Sequence, residues 1–244
     1  METFQEINGD QLPKKTSGEI ISHAFEMYKG VFLYAILAMV IYFLVSMIIQ
    51  PLSGFDSSSF SEEIRSAEGD FSSLDVWAIP GMKMYYGLSG IVNLLLAPLH
   101  VGVIYLANKY NNRESLQVAD LFIGYRQNFV NILIYSLLAH VIMAMSIVMC
   151  FLPFFFVIPF LLLGYPILLF ENASFTEAFS KSFKIAKDNY AVFLGTAILG
   201  LLISISGILL CGVGIVATMP FYFAVMYSAY VAFCGKPRPL IATQ

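Results

Sequence analysis

Charge is scarce in this chain of 244 residues, where 12% are Asp, Glu, Lys or Arg, 59% are hydrophobic and the mean hydropathy is +0.78. Such a composition excludes an ordinary soluble domain, in which about a quarter of the residues are charged. Cysteine is nearly absent, with three in all, which excludes a disulfide-knit secreted scaffold. Cys150 and Cys211 are expected as free thiols at the outer ends of two spans, and Cys234 lies on the inner side. No basic patch points to a nucleic-acid partner. His-Glu-x-x-His, Gly-x-Ser-x-Gly and P-loop signatures are missing, as are paired intramembrane acids, so no catalytic residue, metal ligand or cofactor is expected.

What the chain does have is long apolar runs. A membrane helix needs roughly 20 apolar residues to cross a hydrocarbon core about 30 Å thick. Six windows qualify, approximately Val31–Gln50, Tyr86–Ala107, Phe129–Cys150, Leu152–Phe170, Tyr190–Leu210 and Val213–Phe233. None holds Asp, Glu, Lys or Arg in its interior. The first begins behind a polar head with no cleavage site after a short apolar stretch, so it is expected to be retained. Of the 13 basic residues, 11 fall on one side of the membrane in this threading, and only Arg65 and Lys83 on the other. Short cytoplasmic loops retain Lys and Arg, which predicts both termini in the cytoplasm. The long outer segment 53–87 is acidic and rich in Ser and Gly, and is expected to bury little apolar area.

A repeat runs through the spans. Pro98, Pro159 and Pro220 lie 61 residues apart, each in the second span of a hairpin. FEMYKGVF from Phe25, FIGYRQNF from Phe122 and FKIAKDNY from Phe183 form a second marker. Phe122 to Phe183 is again 61, and Phe25 to Phe122 is 97, longer by the 36 residues of the outer insertion. The expected fold is therefore an all-α membrane protein of six transmembrane helices, arranged as three repeated units. Each unit is an amphipathic interfacial helix followed by a helical hairpin, and the pseudo-threefold axis runs along the membrane normal. The division is a polar cytoplasmic tail 1–15, repeat one 16–107 with the insertion 53–87, repeat two 113–171, repeat three 174–236 and a cytoplasmic tail 237–244.

In each amphipathic segment, apolar or aromatic residues recur at i, i+4, i+7 and i+11: Ile21, Phe25, Tyr28 and Phe32; Val118, Phe122, Tyr125 and Phe129; Phe179, Phe183, Ala186 and Tyr190. That spacing makes one helical face, as a helix lying in the headgroup boundary requires. Phe25, Phe122 and Phe183 are the candidate lipid-interface aromatics. Lys29, Arg126 and Lys187 share one motif position at the stripe's flank, where long stems bury and the charges reach water. Lys29-Gly30, Gln127-Asn128 and Asp188-Asn189 carry the turn chemistry expected to redirect the chain into the bilayer. Such elbows can simply fix span orientation, or serve as collars for lipids or a partner.

Inside the spans, Thr196, Gly200, Ser204, Gly207 and Cys211 set small side chains on one face of span five, which suits close helix packing. The three repeat prolines are expected to kink their helices, and Pro166 adds a second break in span four. His100 and His140 are the candidate polar intramembrane residues. Two imidazoles without a carboxylate or thiolate partner make a poor metal site, so ordinary hydrogen bonding is the expectation for them.

At ENASFTEAFSKSFKIAKDNY and the run ending LLCGVGIVATMPFYFAVMYSAY, the chain resembles a broad group of bacterial six-span integral membrane proteins. It looks like relatives of the membrane-embedded domain fused to some glycerophosphodiester phosphodiesterases. The resemblance implies the architecture and a bacterial cytoplasmic membrane. The phosphodiesterase domain is absent, so its activity does not carry over. The expected function is a non-catalytic membrane scaffold or accessory subunit, binding membrane lipids, or a protein partner through the amphipathic helices or outer loop. The alternative is a small transporter or channel for an apolar or lipid-like substrate. A tightly packed core without a cavity is the mark of the first, and a lipid-accessible cavity the mark of the second. A lipid-modifying enzyme centred on His100 and His140 is the remote third.

Overall fold

The computed structural model describes residues 12–66, 75–149, 152–209 and 214–237. Cys150, Cys211 and nearly all of the two tails lie outside the described residues. Every regular element among the described residues is helical: α1 (Ser17–Ser53), α2 (Ser57–Ser66), α3 (Met82–Asn111), α4 (Ile123–Arg126), α5 (Phe129–Val148), α6 (Leu152–Leu161), α7 (Gly164–Phe170), α8 (Phe175–Asp188), α9 (Tyr190–Ile205), α10 (Ile215–Thr218) and α11 (Phe221–Cys234), with short 3-10 turns between some of them. Six stretches are long and apolar enough to span a membrane: Ser17–Ser53, Met82–Asn111, Phe129–Val148, Pro153–Phe170, Tyr190–Leu209 and Ile215–Cys234. Leu33, Val148 and Leu209 are 78%, 84% and 86% exposed. Fully exposed aliphatic side chains on such helices need lipid rather than water around them, and the architecture is that of a multi-pass membrane protein.

The first amphipathic segment and the first span form one helix. The turn expected at Lys29-Gly30 is absent, because α1 runs unbroken from Ser17 to Ser53. Gly30 has a different use there: a Cβ at this position would lie 2.3 Å from the ring of Tyr110, so the missing side chain admits the tyrosine. Packing of that kind offsets the roughly 0.5–1 kcal/mol that glycine costs in a helix interior. The other two elbows do break. Asn128 takes a left-handed conformation with φ 55° before α5, and its side-chain amide donates to the carbonyls of Leu168 at 2.8 Å and Ala173 at 2.7 Å. Asn189 alone separates α8 from α9 and donates to the Ile185 carbonyl at 3.0 Å.

The chain forms two compact units, one of the described residues up to Ala38 and from Ala97 onward, the other Met39–Leu96. In the smaller unit, the acidic outer segment contains helix α2, which has no buried residue. Phe55 packs on Tyr85 with ring centroids 5.0 Å apart, and the Tyr42 hydroxyl donates to Asn93 Oδ1 at 2.6 Å. The larger unit holds the main core, including Tyr135, Tyr227, Phe193, Phe221, Leu162 and Leu163, all under 2% exposed.

The repeat prolines sit in three different settings. Pro98 lies inside the continuous α3, Pro159 lies inside α6, and Pro220, the second residue of a two-residue turn, caps the N-terminus of α11. Span four breaks at Leu162–Leu163, between α6 and α7. Pro166 explains the position, since it has no N–H for the Leu162 carbonyl and its ring crowds that carbonyl. The last carbonyls of α6 then need other donors. The Ser182 hydroxyl donates to Phe160 O, and the Tyr135 hydroxyl donates to Leu161 O at 3.1 Å. The interruption in span six is treated similarly, since Tyr28 donates to Ala217 O, while Thr218 Oγ1 donates across to Ser204 O near the end of α9 at 2.7 Å.

Candidate functional site

Spans three to six frame a cavity of about 320 Å³. Its walls come from α5, α6, α7, α9 and α11, with Met219 added from the turn before α11. The lining is mostly aliphatic and aromatic, and holds no Asp, Glu, Lys or Arg. Five pairs of lining residues are separated by the 61-residue interval: His140 and Leu201, Met143 and Ser204, Ile158 and Met219, Leu161 and Tyr222, Tyr165 and Met226. On one side of the cavity, Phe154, Ile158 and Ala197 pack together, with Met143, Leu201 and Tyr222 against them.

The polar groups of this cavity fall into two kinds. Some are fully engaged with the protein. Tyr135 serves the α6 carbonyl already described, and Tyr165 bonds Ser136 Oγ at 2.9 Å. His140 Nδ1 lies 2.6 Å from the Ser136 carbonyl. A carbonyl can only accept, so Nδ1 carries the proton. The others have no partner: Ser204 Oγ and the Tyr222 hydroxyl are both buried and unbonded. Two more buried hydroxyls, Tyr190 and Thr196, are likewise unbonded, but neither lines the cavity.

His100 stacks on Phe223 at 4.6 Å and 16° between ring planes. Phe223 lines the cavity together with His140, and the two imidazoles lie within electrostatic range of each other. His100 itself is not among the residues that line the cavity. Among the described residues, no group of three or more His, Cys, Asp or Glu converges as metal ligands would.

Gly200 and Gly207 pack inside the protein. A Cβ on Gly200 would stand 3.2 Å from Val225 and 3.4 Å from Tyr222, and one on Gly207 would lie 2.3 Å from the Gly214 backbone. The collar residues are on the surface: Phe25, Phe122 and Phe183 are 41%, 37% and 50% exposed, and Lys29, Arg126 and Lys187 are exposed beside them. Each aromatic also touches a second ring, Phe25 on Phe221 at 4.6 Å, Phe122 on Tyr125 at 6.1 Å and Phe183 on Phe160 at 4.7 Å. The stripe does not face outward throughout, because Tyr28 and Ala186 are buried. In α8 the face that packs inward is Ala178, Ser182 and Ala186, all at 0% exposure.

Sequence reasoning missed buried polar contacts at Asn108, Asn111, Tyr227, His23 and Ser228, and a more exposed set at Tyr230, Glu171 and Lys181. Asn111 donates to the Tyr227 hydroxyl at 2.9 Å, which donates to Asn108 Oδ1 at 3.1 Å. His23 Nδ1 meets Ser228 Oγ at 2.8 Å. Tyr230 donates to Glu171 Oε1 at 3.0 Å, and Lys181 pairs with the same carboxylate at 2.6 Å. The available signal was Asn108 and Asn111 at i, i+3 on one helix face, opposite a tyrosine-rich sixth span. No family model, curated protein or solved structure matches the chain.

Proposed function

We propose that this chain is a non-catalytic, polytopic membrane protein that takes up an apolar, lipid-like molecule in the cavity between spans three and six. The cavity carries the reading. It is near the lower end of the roughly 300–1,000 Å³ range of small-molecule sites, and its charge-free lining suits a hydrocarbon body. A transporter or carrier accounts for such a space, whereas a pure scaffold has no use for it.

The threefold organisation belongs to the same proposal. Five lining pairs at one interval support an axis near the cavity, because equivalent residues of neighbouring repeats face each other across such an axis. His100 occupies the position equivalent to Leu161 and Tyr222, and its stacking on Phe223 extends that argument to repeat one. Broken helices at a repeat interface are the usual material of transporter sites. The exposed Phe25, Phe122 and Phe183, with their flanking cations, suit a headgroup boundary, and the asymmetry of Lys and Arg favours cytoplasmic termini in a bacterial inner membrane.

Native mass spectrometry of the full chain from mild detergent tests the reading. The expected spectrum shows the protein with one small apolar molecule retained. Protein carrying a stoichiometric protein partner and no small molecule overturns it in favour of the scaffold, with Phe25, Phe122 and Phe183 as the docking residues.

A further inference from the structure

The lining residues differ in exposure, and that difference locates the mouth of the cavity. We infer that the guest is one hydrocarbon chain of a bilayer lipid, inserted sideways from the membrane while its headgroup stays outside; this rests on the apolar-ligand reading above.

α6 packs against both α5 and α9, and its lining residues Phe154, Ile158 and Leu161 are all buried. They form the back wall. Three lining residues are exposed instead: His140 on α5, Ile205 at the end of α9, and Met219 in the turn before α11, the last two at 42% and 47%. The Thr218–Ser204 hydrogen bond holds Ile205 and Met219 side by side. These three residues mark the rim.

The depth of the rim decides what lies in front of it. His140 is 11 residues from Phe129, Ile205 is 15 from Tyr190, and Met219 is 15 from Cys234, each along a regular helix. At the helical rise these are about 16–23 Å from the collar ends of the spans, well inside a hydrocarbon layer about 30 Å thick. A guest therefore enters from lipid. Deeper lining residues, Tyr135, Tyr165 and Met226, are buried and stand six, five and eight residues from Phe129, Phe170 and Cys234, so the space runs lengthwise between the spans, as a chain requires.

A headgroup has no reason to follow the chain inward. The lining has no Asp, Glu, Lys or Arg, Tyr135 and Tyr165 are engaged with the protein, and the Ser204 and Tyr222 oxygens are buried out of reach. A polar group taken inside would lose its water without gaining partners. A whole two-chain lipid also exceeds a space of about 320 Å³. One chain fits both limits.

The test places the full chain in liposomes containing phosphatidylcholine or phosphatidylglycerol with a diazirine near the end of one acyl chain, or the free fatty acid bearing the same group, and maps photolabelled residues by mass spectrometry. Both phospholipids are expected to label Leu161, Tyr165 and Met226 to similar extents, because the headgroup takes no part. The double variant Ile205→Trp with Met219→Trp puts two larger side chains at the rim, and should lower that labelling about threefold or more. Val148 and Leu202, which are 84% and 54% exposed and do not line the cavity, should be labelled as before. Phospholipid label confined to such outward residues, or interior label undiminished in the double variant, overturns the lipid-chain inference. Interior label from the free fatty acid alone also overturns it, and leaves the apolar-ligand reading standing. No interior label from any of the three, together with no small molecule retained in native mass spectrometry, overturns both.

Discussion

The break in span four makes a quantitative prediction about Ser182. Its side chain is fully buried, and its hydroxyl serves the carbonyl of Phe160, at the end of α6, where no further intrahelical donor follows. Ser182→Ala keeps the packing and removes only the donor. Hydrogen bonds between membrane helices average about 0.6 kcal/mol and reach about 1.7, while stranding a buried acceptor costs about 1–3 kcal/mol. An expected loss of about 1 kcal/mol lies in both ranges. For a chain of this size it corresponds to a fall of about 2–4 °C in melting temperature. The sharper form of the test is a cycle with Pro166→Ala. Alanine supplies an N–H to the Leu162 carbonyl and removes the ring that crowds it, so α6 can run on into α7 and the Phe160 carbonyl regains a backbone donor. Ser182→Ala should then cost little in the Pro166→Ala background, a coupling of about 1 kcal/mol. Thermal melts of the four proteins in one detergent measure it. Equal losses in both backgrounds would refute the idea that Pro166 creates the break that Ser182 repairs.

Three other outcomes follow from named contacts. A Cβ on Gly164 would lie 1.8 Å from the Tyr135 hydroxyl, so Gly164→Ala should destabilise by about 1–3 kcal/mol; Tyr135→Phe, which removes the clashing oxygen, should recover part of that loss in the double variant, as read by thermal melting. Tyr227→Phe strands Asn108 and Asn111, which are 4% and 7% exposed, and should cost about 1–3 kcal/mol, whereas Tyr230→Phe, with its partner Glu171 still paired to Lys181, should cost less in the same melts. The Ser174 backbone N–H and hydroxyl hold the Glu177 carboxyl below its ordinary value of 4.5. A depressed carboxylate stabilises above its unfolded pKa, and that contribution fades as pH falls through the folded one. Amide exchange at the start of α8 should therefore accelerate as pH drops below about 4 relative to the rest of the helix, and Glu177→Gln should abolish that pH dependence; an unchanged acid dependence in the variant would rule the capping box out as its cause.

The six spans were legible because a run of about 20 apolar residues has few other uses. Ser174-x-x-Glu177 has the spacing of a capping box and forms one at the start of α8, a match that follows because the spacing is set by local backbone geometry. Continuity of α1 through Lys29-Gly30 was not legible. The same dipeptide serves a turn or a close helix contact, and only the arrival of Tyr110 from 80 residues later decides between them. The buried network was hidden for a related reason. Asn108, Asn111 and Tyr227 stand near span ends, where polar residues ordinarily meet headgroups or water, and nothing local shows that neighbouring helices cover them. Likewise, the 61-residue interval was visible in Pro98, Pro159 and Pro220, but the periodic positions that face a common space could be identified only after the helices had been placed.

The three prolines also show why repeated sequence need not mean repeated geometry. Removing an N–H frees a carbonyl, and the consequence depends on what donor is near it. Hydroxyls near the interruptions supply those donors: Ser182 and Tyr135 for span four, and Tyr28 for span six. Each hydroxyl so committed stiffens the frame and is lost to any ligand. Ser204 and Tyr222 stand apart because the carbonyl of Ser204 already has Thr218, and their own oxygens have no partner. The same competition for donors that determines which helix may break therefore leaves the oxygens of Ser204 and Tyr222 buried without a partner. A neighbouring substitution that gives either oxygen an internal acceptor should therefore stabilise the fold by about 1 kcal/mol, read as a higher melting temperature in the same detergent.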